Sequence, residues 1–458
     1  MSPSAADHRR HLALDPGAAE AWRSLAFAHA AGNEAAVAAA IFVRLLALRP
    51  QALDLSNLAE LRRAAGLPGA LRAARRALVL DPALAAAHNN RGNIVLQQGR
   101  PLEAETAFRR ALALHPAFRD AIYNLAVARN EQGDPAGAVA LYERALGLSP
   151  DFLEAHWNRA LALLAAGRWR DGWQAHEVRR SHPLLKPRDF PIPDWTGEPL
   201  AGRRILVASE QGLGDTIQFL RYVPEVALRG GRVTLDLPAP LVALARSMAG
   251  IERLVERGAP PGEVEVVVPM MSLPFRLGET TPPAFAPYLA ADPERRARWR
   301  RRLAGDPGPR IGIAWAGNPG MRNDHRRSLP DAALAPLAGL EAVRFVSLQK
   351  ERKPPEGWLD AGPELVDFAE TAALVAELDL VIAVDTAVAH LAGALGRPLW
   401  VLLSSAADWR WPRGEARTPW YASARHVWQG PEEGWEPVIR RLARALARGD
   451  FDPEASLP

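Results

Sequence analysis

The first third of this 458-residue chain repeats itself at a nearly constant interval. Prolines separated by 34, 32, 34 and 34 residues stand at Pro16, Pro50, Pro82, Pro116 and Pro150. Glycines mark the middle of the units, at Gly32, Gly66, Gly99, Gly133 and Gly167. Self-similarity at a fixed period of this length predicts an array in which each unit buries its apolar side only against its neighbours.

Bulky and small side chains recur inside the units as well. Aromatic residues take an early position at Trp22, Tyr123 and Trp157, and the pairs Ala107-Phe108 and Leu141-Tyr142 follow later in their units. This pattern resembles the tetratricopeptide repeat, a helix-turn-helix unit that stacks into a superhelix. The resemblance implies an α-helical solenoid of about five repeats over residues 1–180, with the aromatic side chains in its core.

One polar position recurs too. Alignment of the units on their glycines brings together Asn57, Asn90, Asn124 and Asn158, and Ser24 lies within one residue of this position in the first unit. Side-chain amides in a row can hydrogen-bond the backbone of an extended peptide without reading its sequence. The row resembles the asparagine ladder of O-linked N-acetylglucosamine transferases, whose repeats hold protein substrates in this way. The alternative is that these amides satisfy backbone groups between neighbouring repeats.

Residues 181–200 break the helical pattern. The segment contains Pro183, Pro187, Pro191, Pro193 and Pro199, so no helix can run through it. Its apolar residues Phe190, Ile192 and Trp195 predict an extended connector that packs against a domain rather than a free linker.

Strands and helices alternate from Ile205 to the end of the chain. This order predicts parallel sheets in two doubly wound α/β halves, over residues 201–300 and 301–458. The predicted strands are Ile205–Ala208, Arg232–Leu235, Glu265–Val268, Ile311–Trp315, Val343–Leu348, Leu380–Val384 and Leu399–Leu403. A last helix is expected over Pro437–Arg448 and could cross back to the first half.

A glycine turn follows the first of these strands. Gly212-Leu213-Gly214 leads into a helix, and Asp215 stands at its start, on the carboxyl side of the strand, where open α/β sheets bind ligands. A carboxylate there can act as a general base. It can equally serve only as a helix cap.

The second half contains a group of polar residues that could form the other side of such a site. Asp385 ends a strand, and Thr386 begins an alanine-rich helix whose free N–H groups are suited to a diphosphate. We assign Asp385 to sugar hydroxyls or to capping. His390 lies one turn further on the same face as Thr386, although a histidine on such a helix is often structural.

Three further residues are candidates for contact with a nucleotide. Arg327 lies in the loop after the first strand of the second half and could neutralise phosphate charge, or could simply be solvated. Gln349 and Lys350 end the strand that begins at Val343 and are candidates for the ribose or the base.

Together these residues resemble the heptosyltransferase-related glycosyltransferases of family 9, which have the GT-B fold of two Rossmann-like domains. Gly214-Asp215 matches the glycine-aspartate turn of that family, and the Asp-Thr-x-x-x-His-Leu-Ala motif is matched by Asp385, Thr386, His390, Leu391 and Ala392. The resemblance covers about residues 200–448. It implies that Asp215 is the base for the acceptor hydroxyl and that the second motif binds the sugar diphosphate, with Arg327 where the family often has lysine.

The complete layout resembles bacterial tetratricopeptide-repeat glycosyltransferases, some of which modify flagellin. It implies inverting, metal-independent transfer of a sugar from a nucleotide-sugar to a protein serine or threonine held by the repeats. One alternative is a peptide-binding scaffold with a degenerate transferase half. A nicotinamide-dependent oxidoreductase is another, because Gly212, Gly214 and Asp236 partly mimic a dinucleotide fingerprint, but Ile217 stands where the third glycine should be.

Composition limits the partners. The net charge is only +4, with arginines spread among acids, so we expect no nucleic-acid partner. No stretch has the roughly 20 apolar residues of a membrane span, and the N-terminus lacks the apolar core of a secretory signal. The chain has no cysteine, and no metal-ligand cluster stands out, so we expect a cytoplasmic protein with no cofactor beyond its nucleotide-sugar substrate.

Overall fold

The computed structural model describes residues 17–282, 286–305, 308–320, 324–404, 407–430 and 433–451, together with residues 8 and 15. Backbone packing divides the chain into two compact units, Met1–Arg159 and Ala160–Pro458.

Helices arranged as successive hairpins build the first unit. They are α1 Ala19–Ala31, α2 Ala35–Leu48, α3 Ala52–Ala64, α4 Ala70–Leu80, α5 Ala85–Gln97, α6 Pro101–Leu114, α7 Arg119–Glu131, α8 Pro135–Leu148 and the first residues of α9 Leu153–Ala165. Gly66, Gly99 and Gly133 adopt φ values of 65°, 76° and 86° in the turns within hairpins, where a side chain would be strained. Asn33 takes this conformation in the first hairpin, next to Gly32. The helical solenoid predicted from the repeats is confirmed.

The array core is made of alanines and a few aromatic rings. Phe42, Phe108 and Tyr142 occupy equivalent positions of α2, α6 and α8 and are at most 2% exposed. Trp22 and Tyr123 are only half-buried, so the early aromatic position lies at the edge of the core. Small residues on the facing helices let the hairpins approach these rings.

Two parallel sheets form the centre of the second unit. The first sheet has the strand order β3-β2-β1-β4, with β1 Arg204–Ala208, β2 Arg232–Leu237, β3 Ile251–Glu256 and β4 Val266–Pro269. The second has the order β10-β9-β8-β5-β6-β7, with β5 Arg310–Ala314, β6 Arg344–Ser347, β7 Leu359–Asp360, β8 Leu380–Val384, β9 Leu399–Leu403 and β10 Ala424–Trp428. Both orders reverse beside the first strand of the sheet, which is the Rossmann arrangement. The predicted α/β fold of GT-B type is confirmed.

Helices connect these strands and cover the sheets. They are α10 Trp169–His176, α11 Leu213–Phe219, α12 Val223–Leu228, α13 Ala239–Val242, α14 Leu273–Leu277, α15 Pro293–Arg302, α16 Asp324–Arg327, α17 Ala335–Ala338, α18 Phe368–Val375, α19 Ala387–Ala394 and α20 Trp435–Ala447. The apolar face of α20, including Val438 and Leu442, packs in the core of the second sheet with Trp400. Within the described ranges, no helix combines the length and apolar character needed to cross a bilayer.

The sequence missed three short strands. β3, β7 and β10 lie toward the sheet edges, and β7 has only two residues. β10 contains Arg425 and His426, whose polarity hides the strand pattern although both side chains are buried. The helix predicted over Leu241–Met248 is instead the short α13 followed by a 3-10 turn at Leu244–Ser247.

The proline-rich connector is extended and packed, as predicted. Asp194 pairs with Val267 of β4, and the buried Trp195 donates its indole N–H to the carbonyl of Glu198. The connector therefore extends the first sheet.

The helix before the connector is also integrated into the second unit. Trp173 of α10 is 2% exposed and packs edge-to-face against Phe219 and Trp409. Arg179, just after this helix, is fully buried and donates to both carboxylate oxygens of Glu210, at 2.7 and 3.1 Å. Glu210 directly precedes the Gln211-Gly212 turn, so the end of the repeat region holds the entrance to α11.

Gly92→Ala should destabilise the array. A Cβ at Gly92 would lie 2.3 Å from the ring of the fully buried Phe108, so we expect a loss of about 1–3 kcal/mol. Urea unfolding followed by circular dichroism measures it. Gly147→Ala is the matched control, because a Cβ there meets nothing within 4 Å. Equal midpoints for the two variants would contradict the packing described for Gly92.

Candidate active site

A cavity of about 600 Å³ lies at the carboxyl ends of the two sheets in the second unit. Both halves contribute to its wall. All eight residues predicted in this unit line it: Gly214, Asp215, Arg327, Gln349, Lys350, Asp385, Thr386 and His390. The fold thus brings together residues that are up to 176 positions apart, from Gly214 to His390.

Asp215 occupies the third position of α11 and has both of its carboxylate oxygens engaged. Oδ2 accepts from the backbone N–H of Gly212 at 3.1 Å, which is the capping role. Oδ1 accepts from Nη2 of Arg410 at 2.6 Å. The side chain is 24% exposed, so the carboxylate still faces the cavity while it caps the helix.

Arg410 is the site residue that sequence reasoning missed. It follows β9 in the segment Asp408-Trp409-Arg410-Trp411, and it lines the cavity together with Asp408. An arginine between two tryptophans after a buried strand was the available signal, because that setting predicts a buried cation which needs carboxylate partners.

The start of α19 lies directly against α11. A Cβ on Gly214 would lie 2.9 Å from Cδ2 of His390 and 3.5 Å from Cα of Ala387, so only glycine fits there without a shift. Thr386 is the N-cap residue of α19, yet its side chain makes no cap hydrogen bond. Its Oγ1 is buried and has no hydrogen-bond partner within the described ranges. The helix start therefore places one unpaired hydroxyl, that of Thr386, in the wall of the cavity.

Asp385 is held in a setting that favours its protonated form. Burial and the nearby Asp408 carboxylate raise the pKa of Asp385 to about 6, against the opposing pull of Arg410 and Arg327. Burial alone removes water from a carboxylate, and a second negative charge adds to the penalty on ionisation. Asp385 is thus mostly ionised at neutral pH and becomes neutral only as the pH falls below about 6.

His390 is a buried, neutral imidazole. Burial and the cations Arg410 and Arg221 lower the pKa of His390 well below its ordinary value. Its Nδ1 lies 2.9 Å from the hydroxyl of Tyr421, and its ring stacks on Trp411 at 5.6 Å. These contacts fix the ring in the wall between α11 and the cavity, so the structural alternative for this residue is well supported.

The remaining predicted residues line the part of the cavity that the second half contributes. Arg327 donates to the carbonyl of Asp385 at 3.1 Å and to Asp324 at 2.9 Å. Gln349 accepts from the backbone N–H of Ala316 at 3.1 Å, and Lys350 is exposed. Arg327 therefore buttresses the end of β8 and brings a positive charge to the cavity.

The fingerprint aspartate of the oxidoreductase alternative is not available to a ligand. Asp236 is 2% exposed, and its Oδ1 accepts from the hydroxyl of Ser209 at 2.9 Å and from Arg188. A carboxylate engaged in this way cannot bind a ribose, which weakens the dinucleotide alternative.

The asparagine row of the first unit forms hydrogen bonds between repeats. Asn90 donates to Ser56 Oγ, Asn124 to Asn89 Oδ1, and Asn158 to Tyr123 Oη, at 3.0, 3.0 and 2.6 Å. In each case the acceptor residue comes directly before the row position of the previous repeat. In the first pair, for example, Ser56 precedes Asn57, which is half-buried. The amide N–H groups thus link neighbouring repeats, but within the described part of the chain only Asn90 also donates to a backbone carbonyl, that of Ser56, as the alternative to peptide binding expects.

Comparison with known proteins agrees with both parts of the chain. Residues 60–121, 96–151 and 123–171 match the tetratricopeptide repeat family, and residues 363–444 match glycosyltransferase family 9 (heptosyltransferase). The chain therefore combines tetratricopeptide repeats with a family 9 glycosyltransferase region, as predicted. The family 9 match includes Asp385, Thr386 and His390 but not the half that carries Asp215.

Protein FlbA of Caulobacter vibrioides is 32% identical to this chain over 320 residues, which is 62% of this chain and 53% of FlbA. The chain thus spans about half the length of this relative. Among solved structures, MamA is 23% identical, with 33% of this chain and 89% of MamA covered and a TM-score of 0.29. For pilF of Pseudomonas aeruginosa the identity is 22%, the coverages are 35% and 74%, and the TM-score is 0.32.

The raised pKa of Asp385 predicts a pH-dependent stability. The folded chain binds this proton more tightly than the unfolded chain, whose pKa is near 3.8, so the free energy of unfolding falls as pH rises from about 4 to about 6. Asp385→Asn should remove this pH-dependent contribution to the free energy of unfolding, roughly 1–3 kcal/mol. Urea unfolding of both chains across this pH range measures the difference. A difference that is constant with pH would contradict the assignment.

Proposed function

We propose that this protein is an inverting glycosyltransferase that moves a sugar from a nucleotide-sugar to an acceptor hydroxyl, namely a serine or threonine of a protein held by the repeats. The observation that carries the proposal is that Asp215 from one half and the start of α19 from the other line a single cavity, where the Thr386 hydroxyl has no partner among the described residues. A transferase needs these two groups on opposite sides of the reacting carbon.

The donor diphosphate would bind at the start of α19. The helix has eight residues, its N-terminal end carries the positive end of the helix dipole, and the buried hydroxyl of Thr386 lacks a partner within the described ranges. Arg327 adds a charge that pairs with phosphate oxygens. The same groups would stabilise the diphosphate as it leaves, so they supply the charge that the transition state develops.

The acceptor hydroxyl would be deprotonated by Asp215. A carboxylate offers about four lone-pair positions, and hydrogen bonds from Gly212 and Arg410 use two of them. The others remain for the acceptor. Attack from the side opposite the departing diphosphate inverts the anomeric carbon.

The repeats would hold the acceptor chain. Because the amide N–H groups of Asn90, Asn124 and Asn158 are used between repeats, the row would act through its side-chain oxygens, which accept no hydrogen bond from the described residues. Oxygens at a regular spacing can accept from backbone N–H groups of an extended peptide. The ladder would therefore recognise donors in the peptide, not acceptors.

The donor site is tested by a thermal-shift panel of UDP-, GDP-, ADP- and CMP-linked sugars. Saturating donor should raise the melting temperature of the wild type by several degrees, since a ligand at about 100 times its Kd adds about 2.7 kcal/mol. Thr386→Val, which removes only the unpaired hydroxyl, and Arg327→Met should lower this shift. Thr106→Val is the control, because that hydroxyl is exposed on α6. No shift with any donor would favour the non-catalytic scaffold instead.

The base is tested with Asp215→Asn, which preserves the shape of the side chain. We expect the rate of sugar release from the donor to fall by about 10²–10⁴-fold while donor affinity is retained. Nucleotide release is measured by a coupled assay. Glu263→Gln, an exposed carboxylate of the same half, should leave the rate unchanged. Full turnover by Asp215→Asn would exclude Asp215 as the base.

A further inference from the structure

Arg410 has a fixed backbone next to the cavity. Its own N–H donates to Oδ1 of Asp408 at 3.1 Å, and its carbonyl accepts from the hydroxyl of Thr418 at 2.8 Å. Its guanidinium carbon lies 4.3 Å from the ring centre of Trp409. The side chain is 6% exposed, so it has little freedom to adopt another rotamer.

The guanidinium spans the two halves of the second unit. Nη2 donates to Asp215 at 2.6 Å and Nε donates to the side-chain oxygen of Gln218, both on α11 of the first half. Nη1 donates to Asp408 in its own half, at 2.8 Å. The planar fork of an arginine is thus used in three directions, which a lysine ammonium cannot reproduce.

A buried cation of this kind is expensive to maintain. Removing an arginine from water costs several kcal/mol, and apolar packing is often the more stable solution at such a place. Here the cation is paired with Asp215, which lines the cavity, as well as with the supporting Asp408. Stability alone therefore gives a poor account of Arg410.

We propose that Arg410 is the positioning residue of Asp215, and this inference rests on the proposed function of that carboxylate. With Gly212 N–H on one oxygen and Arg410 on the other, the carboxylate cannot rotate about its last bond, and its remaining lone pairs point to a fixed place. Because Arg410 belongs to the second half, Asp215 is oriented only while the two halves are docked. The contact thus couples the orientation of the base to the position of the half that would bind the donor.

The test uses the full chain and the sugar nucleotide that gives the largest thermal shift. Arg410→Ala should lower kcat by roughly 100-fold, as expected for a misplaced catalytic group, without a matching loss of donor affinity. Guanidinium ions at millimolar concentration should restore part of kcat in Arg410→Ala but not in Asp215→Asn. Arg410→Lys should not restore it. Arg440→Ala, on an exposed side chain, controls for the loss of an arginine.

A kinetic double-mutant cycle decides the mechanism. If Arg410 acts through Asp215, the double variant Arg410→Ala/Asp215→Asn should be no slower than Asp215→Asn alone. The proposal would be overturned if the rate loss of the double variant equalled the product of the two single losses. It would also be overturned if Arg410→Ala lowered donor affinity as much as kcat, since Arg410 would then be a ligand contact.

Failure of the proposed function looks different from failure of this inference. A wild type that releases no nucleotide from any donor would refute the transferase activity itself. In that case the contact between Arg410 and Asp215 is tested by urea unfolding of the wild type, Arg410→Ala, Asp215→Asn and the double variant. We expect that the midpoint changes of the two single variants do not add up to that of the double variant. Additive changes would overturn the positioning role.

Discussion

The close approach of two helix starts at Gly214 is the constraint on which the site depends. α11 and α19 come from different sheets, and a single methyl group on Gly214 would collide with the ring of His390. Because parallel strands send their following helices from the same edge, each sheet delivers its helix start to that edge. Only the absence of a side chain lets the two starts share one cavity wall.

The close approach of α11 and α19 also concentrates charged side chains in the cavity. Asp215, Asp385 and Asp408 surround Arg410, so four ionisable groups share a small volume. Burial and the Asp408 carboxylate raise the pKa of Asp385 to about 6. At neutral pH Arg410 and Arg327 are therefore the groups that offset the carboxylate charges around the cavity.

Much of the fold was predictable because it depends on local periodicity. The 34-residue interval fixed the helical hairpins, and strands such as Leu380–Val384 were continuous apolar runs. The cavity residues Asp215, Asp385 and Thr386 follow strands, so their common edge could be predicted before any coordinates were known. Whether each of them carries out its proposed role stays a prediction.

What the sequence could not provide were contacts between distant segments. Arg410 meets Asp215 across 195 positions, and although the setting of Arg410 between two tryptophans predicts a carboxylate partner, nothing in the sequence says which one. The short strands β7 and β10 were missed because pairing with neighbours, rather than their own composition, makes them strands. The engagement of Asn124 with Asn89 likewise depends on how one repeat is rotated on the next.

The burial of Arg179 against Glu210 limits where a shortened chain could begin. A chain that began at the proline-rich connector would keep every strand of both sheets, but it would leave Glu210 as an unpaired charge in the core beneath the glycine turn. It would also lose Trp173, whose ring packs edge-to-face against Phe219, Trp409 and Trp420. A cut at the connector therefore removes part of the core of the second unit, and a shorter chain that keeps this core has to begin before Trp173.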